Sequence, residues 1–269
     1  MSRIEKLFSN LKKQNKTAFI SFVAGGDPNL DLSEEIIEEL PENGTDLIEI
    51  GIPFLDPAGD GPIIEEASKR AIKNGATLKN ILDIAQRFRE RNTKTPIILM
   101  GYYNSILHYG LEKFVIDAKK KGVDGLLMVD LPIEEDDELL SYSKKHKLHL
   151  IKLITPTTNA QRMHQIIKKA SGFIYFVCVA GITGTKSAQL QESKEFITKI
   201  KEITDIPVVI GFGIKTKDQV REINKSGADG VVVGSRLVSI IDDGLKNNIT
   251  QSQIKDNLLK TNKELANSL

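Results

Sequence analysis

The chain has 269 residues, 40% hydrophobic and 27% charged, which suits one large soluble domain with a substantial core. Lys and Arg total 37 against 36 Asp and Glu, a net charge of +1, so neither a nucleic-acid nor a membrane partner is expected. A single cysteine, Cys178, excludes an internal disulfide and agrees with a reducing cytoplasm, and no run approaches the roughly 18 apolar residues of a membrane span.

The start, Met1-Ser2-Arg3, opens no apolar signal core, so a cytoplasmic protein is expected. Ile4, Leu7, Phe8 and Leu11 then sit at helical spacing and predict an amphipathic helix over 2–13. Eight apolar strand-like runs follow, at 18–23, 46–50, 97–100, 125–129, 148–154, 173–179, 208–211 and 230–233. Helical patterns rich in Lys and Glu separate them around 32–41, 78–91, 111–121, 134–146, 159–170, 190–203, 216–226 and 235–243, and a ninth lies at 251–266. Alternating strands and helices imply parallel pairing through right-handed crossovers. Eight units in about 250 residues predict a (β/α)8 TIM barrel, one domain over 1–269, with an extra helix at each end. The N-terminal helix is expected to cover the barrel bottom and the C-terminal one to pack outside. An open doubly wound sheet is the alternative, but Ala24-Gly25-Gly26-Asp27-Pro28 after strand one lacks its glycine spacing.

Strand two carries the first residue that folding does not ask for. Glu49 stands inside the apolar run Leu47-Ile48-Glu49-Ile50, and burying an unpaired carboxylate costs on the order of several kcal/mol. If Glu49 faces the barrel interior, Leu47 and Gly51 do too, while Ile48 and Ile50 face the helices. Three prolines and three glycines between Gly51 and Pro62 then break every regular pattern and leave a stiff loop with Asp56 and Asp60. The bland reading of Glu49 is a buried ion pair, yet no cation falls at an obviously inward position near the mouth. For Asp60 the bland reading, a turn residue between glycines, is the stronger one by physics alone.

From Glu49 to Pro62 the chain resembles the signature of the tryptophan synthase alpha subunit family. It departs at Leu55, where the family usually has Ser, and at Ala58-Gly59, where it has a bulkier residue and then Ala. The resemblance implies that Asp60 meets the substrate's indole N–H and that the Tyr175 hydroxyl lies near Glu49. It also implies that Thr183 closes a lid over Asp60 and that Gly184 joins the phosphate contacts, in a loop departing from the family at Val179-Ala180 and Thr185-Lys186. Pro53, Asp56, Pro57, Asn104 and Asp130 match the family's contacts with a beta subunit.

Late in the chain, Gly211-Phe212-Gly213 ends strand seven and Gly234-Ser235 ends strand eight and opens a helix. Bare backbone N–H groups and a helix N-terminus favour an anion, and these two loops are the fold's recurrent phosphate site. Gly213, Gly234 and Ser235 are therefore phosphate candidates, although barrel loops also use glycine simply to turn. Phe22, Met100, Leu127 and Phe212 would wall an apolar slot, or be plain core, and Tyr175 is read either way too. Cys178 is expected to face the helices as an inert thiol. His108, His146, His149 and His164 have no partners at metal spacing, so no metal is expected.

A buried acid, a second carboxylate, an apolar slot and a phosphate clamp fit a cofactor-free carbon–carbon cleavage. The resemblance names it: indole-3-glycerol phosphate to indole and glyceraldehyde 3-phosphate, with pyridoxal phosphate belonging to the partner beta subunit of an alpha2-beta2 complex. Two rivals remain. One is a Schiff-base aldolase through Lys152, which strand parity places outward; the other is a non-catalytic barrel that binds a phosphate and regulates its partner.

Overall fold

The computed structural model describes residues 1–177, 186–211 and 213–269, with the side chains of 186–190 outside that description. In chain order the elements are α1 (Arg3–Lys13), β1 (Ala18–Ala24), α2 (Leu30–Glu39), β2 (Leu47–Gly51), α3 (Pro62–Lys73), α4 (Leu78–Arg91), β3 (Ile97–Gly101), α5 (Tyr103–Tyr109) and α6 (Leu111–Lys120). There follow β4 (Gly125–Met128), α7 (Asp137–Lys145), β5 (His149–Leu150), β6 (Lys152–Ile154), α8 (Ala160–Lys169), β7 (Ile174–Val177), α9 (Lys186–Ile203) and β8 (Val208–Gly211). The chain closes with α10 (Lys217–Asn224), β9 (Gly230–Val233), α11 (Ser235–Lys246) and α12 (Gln251–Ala266).

All strand pairs are parallel, in the order β5-β4-β3-β2-β1-β9-β8-β7-β6. The two outermost segments, β5 and β6, are consecutive in sequence and flank Ile151, whose N–H donates to the Leu126 carbonyl at 2.9 Å. They are the two halves of the predicted fifth strand, the first paired with β4 and the second with β7. The sheet therefore closes on itself as a TIM barrel with an added helix at each end.

Residue parity sorts the core into layers. Leu47, Ile98, Leu127, Ile151 and Val209 fill the barrel interior, whereas Ile48, Ile50 and Leu99 pack against the helices. At the bottom, α1 inserts Ile4 and Phe8, the Phe8 ring lying 5.9 Å from that of Phe173. A capping box at Ser2 and Glu5 fixes the start of that helix. Outside, α12 is pinned by Asn262, fully buried, which accepts from the Ser21 hydroxyl at 2.7 Å and donates to Thr45 and to the Asn43 carbonyl.

Two helices were not expected from the pattern. α3 starts straight after the Gly/Pro loop, with Gly61 as N-cap and Pro62 in its first turn, a position where proline's missing N–H costs nothing. Ile64, Ala67, Ser68 and Ala71 form its buried face. Arg70 then ties α3 to the rest of the mouth, with two hydrogen bonds to the buried Asp27 (2.9 and 3.0 Å) and one to Asp242 of α11 (2.8 Å). α5 is a short helix behind β3 whose first N–H, on Tyr103, donates to the Asp130 carboxylate at 2.7 Å.

Candidate active site

Glu49 lies mid-strand in β2, in register with Phe22 of β1 and Ile98 of β3, and it is fully buried. Neither carboxylate oxygen has a hydrogen-bond partner among the described residues, and no ion pair reaches it there. Burial pushes its pKa up to about 8, and the charge of Asp60 adds to the shift. The buried-ion-pair reading has no observation behind it among the described residues. Glu49 is held as a neutral acid at pH 7.

Asp60 ends the stiff loop ahead of α3. Its N–H donates to the Pro57 carbonyl at 3.1 Å, and that of Ala58 to Asp56 at 3.0 Å. The side chain meets Tyr102, at the end of β3, whose hydroxyl also accepts from the Gly59 N–H at 2.9 Å. Phe54 stacks on the Tyr102 ring with centroids 5.0 Å apart. Burial raises the Asp60 pKa to about 6, against the pull of the Tyr102 hydrogen bond. The same burial, with Asp60 beside it, pushes the Tyr102 phenol above its ordinary range. Tyr102 was not singled out from sequence; its one signal is its place directly after a strand, at the C-terminal mouth.

Asp60 borders a cavity of about 230 Å³, which Glu49 and Tyr102 do not themselves line. Phe22, Met100, Tyr175 and Val232 line it from the strands, Asp60 to Ile64 from the β2–α3 connection, and Gly213, Lys215, Gly234 and Ser235 from the loops after β8 and β9. The expected apolar slot and the expected phosphate residues thus share one space. Leu127 belongs to the interior core and does not line it. Ser235 opens α11, so the helix's N-terminus, which favours an anion, lies at this wall of the cavity. Lys215 is a cation that sequence reading passed over, because a surface lysine carries no pattern of its own. Tyr175 is buried, and the charges of Glu49 and Asp60 push its phenol upward together with burial. Its hydroxyl fits only because strand β8 ends in glycine: a Cβ on Gly211 would lie 2.1 Å from it.

The other sites of interest resolve differently. Lys152 points to the helix layer, where its ammonium lies 2.5 Å from Asp136, which Lys169 also holds at 2.7 Å. Its engagement in that ion pair outside the barrel removes the footing of the Schiff-base reading. Pro53, Asp56, Asn104 and Asp130 lie on one rim, joined by the Phe54–Tyr102 stack and the Asp130–Tyr103 bond; Pro57 is buried. His149 sits 2.7 Å from the Ser2 hydroxyl, and among the described residues no three His, Cys, Asp or Glu side chains converge as a metal site would need. Cys178, Thr183, Gly184 and Phe212 lie outside the described residues. No helix among the described residues is long and apolar enough to cross a membrane.

The model of one protein family, described as tryptophan synthase alpha chain, matches residues 8–268. Among solved structures, the chain is similar to tryptophan synthase subunit alpha from Legionella pneumophila, at 34% identity and a TM-score of 0.89 over 100% of both chains. A structure from Aquifex aeolicus VF5 matches at 38% identity and TM-score 0.88, over 100% of this chain and 99% of that one. Tryptophan synthase from M. tuberculosis matches at 30% identity and TM-score 0.85, over 99% of this chain and 98% of that one.

Proposed function

The chain belongs to the tryptophan synthase alpha chain family, and from that premise we propose that Glu49 is the acid–base residue and Asp60 its electrostatic partner. The activity is that of a carbon–carbon lyase, cleaving indole-3-glycerol phosphate to indole and glyceraldehyde 3-phosphate in tryptophan biosynthesis. The observation that carries the assignment is the burial of Glu49 without a partner, at a pKa of about 8.

The chemistry follows from the two acids. The bond to be broken joins indole C3 to a hydroxyl-bearing carbon, and its electrons need somewhere to go. Neutral Glu49 gives its proton to C3, which places positive charge on the ring nitrogen and makes the ring an electron sink. Ionised Asp60 stabilises that nitrogen. Glu49, now a carboxylate, takes the hydroxyl proton; the carbonyl of glyceraldehyde 3-phosphate forms, the carbon–carbon pair moves into the ring, and the nitrogen returns to neutrality. Glu49 ends protonated, as it began. Phe22, Met100 and Tyr175 wall the ring, and Gly213, Gly234, Ser235 and Lys215 receive the phosphate; we assign Thr183 and Gly184 to the same substrate by resemblance and Phe212 to the apolar slot by its place after β8.

Free indole is apolar and leaks across membranes, so a receiver is needed. We assign that role to the beta subunit, which carries pyridoxal phosphate, docked through Pro53, Asp56, Pro57, Asn104 and Asp130 in a cytoplasmic alpha2-beta2 complex. Glu49→Gln is expected to abolish indole release while still binding indole-3-glycerol phosphate by calorimetry, and Asp60→Asn to lose less. Near-normal turnover in Glu49→Gln would sink the assignment.

A further inference from the structure

The loop before α3 departs from the family signature at Gly59, and its neighbour across the mouth accounts for the departure. A Cβ added at Gly59 would lie 2.8 Å from Val129 Cγ1 and 3.4 Å from the Tyr102 hydroxyl. Val129 has little freedom to step aside. It is β-branched, so its rotamers are few, and its N–H is held by the Gly101 carbonyl at 3.0 Å. A side chain at 59 must instead displace the backbone of residues 59 and 60. That backbone carries the Gly59 N–H that donates to the Tyr102 hydroxyl at 2.9 Å. The Tyr102 hydroxyl, its oxygen accepting from Gly59, stands beside Asp60 and lowers that carboxyl's pKa against burial.

We propose that Gly59 and Val129 are a matched pair whose fit sets the Gly59–Tyr102 hydrogen bond and with it the place of the Tyr102 hydroxyl against Asp60, which makes Gly59 and Tyr102 positioning residues for Asp60. The pair explains why this chain has glycine where the signature has alanine: the room for the methyl group is taken by Val129. The proposal rests on the reading of Asp60 given above.

The test compares Gly59→Ala, Val129→Ala, the double variant and Asp60→Asn in the full chain, reading kcat/KM for indole release across roughly pH 5 to 9. Gly59→Ala is expected to lose about fivefold or more, with its acidic limb moved above the parent's because Asp60 has lost a donor. Val129→Ala stays within about threefold of the parent, and the double variant returns to that level with the limb restored. A smaller loss in Gly59→Ala, an unmoved limb, or a double variant no better than the single overturns the pair. Should Gly59→Ala fail to fold, as judged by circular dichroism, Tyr102→Phe removes the same hydrogen bond without crowding, and an unmoved limb there is equally fatal. Parental activity in Asp60→Asn refutes the role of Asp60 and the proposal with it. A loss in Asp60→Asn beside an unimpaired Gly59→Ala refutes the pair alone.

Discussion

At Glu49 and Asp60, burial sets the two acids about two pH units apart, near 8 and near 6. Between those values the site holds one proton donor and one carboxylate, the pair of states that the proposed mechanism needs. The kcat/KM profile for indole release is therefore expected to be a bell with limbs near 6 and 8, belonging to the coupled pair. Stability carries the opposite signature. Above the ordinary glutamate value the unfolded chain releases the Glu49 proton and the folded chain keeps it, so rising pH weakens the fold up to the folded pKa. Urea titrations of parent and Glu49→Gln should diverge between pH 5 and 8, the variant gaining by about 3 kcal/mol; parallel pH curves would show that Glu49 is not held neutral. Glu49 could be read from the sequence because a carboxylate breaks an apolar strand. Tyr102 and Lys215 could not, since a tyrosine after a strand and a lysine in a loop are ordinary residues until the fold sets one beside Asp60 and the other in the cavity wall. Lys215→Ala is expected to raise KM about threefold to tenfold with kcat little changed, because its charge meets the phosphate in ground and transition state alike; an unchanged KM would return Lys215 to the solvent.

Among the elements, the strands were readable because their apolar runs are buried on both faces, and most helices because their polar and apolar residues alternate at helical spacing. The misses have local causes. α3 hides behind prolines that end one element and begin the next, and α5 is too short to show a face. The predicted fifth strand divides at Ile151 because its two halves pair with different neighbours where the barrel closes. The link between α3, the β1 loop and α11 also has no sequence pattern, since Arg70, Asp27 and Asp242 are far apart in the chain. It adds little stability by itself, since burial raises the Asp27 pKa in spite of Arg70, but it is costly to break from one side. Arg70→Met would leave that carboxyl buried without its cation, at a cost of about 3–5 kcal/mol at pH 7. The loss should shrink at pH 5, where Asp27 takes a proton more readily. A denaturation series at both pH values checks this, and an equal loss at each would mean that Asp27 finds another partner.

Across the whole molecule, the barrel sets one acid in a dry interior and opens the strand ends above it to a phosphorylated substrate. α1 closes the bottom with Ile4 and Phe8, α12 braces the wall through Asn262, and Asp56 and Asp130 stand exposed on the rim of the mouth, where the proposed partner would dock. The near-zero net charge left that rim invisible in composition, and only the resemblance pointed to it. The proposed chemistry turns on the protonation of Glu49, so the most direct test is to observe that proton. Infrared difference spectra between the parent and Glu49→Gln should show a protonated carboxyl at pH 7 that ionises near pH 8. A carboxylate signal already present at pH 6 would contradict the acid–base role at its root.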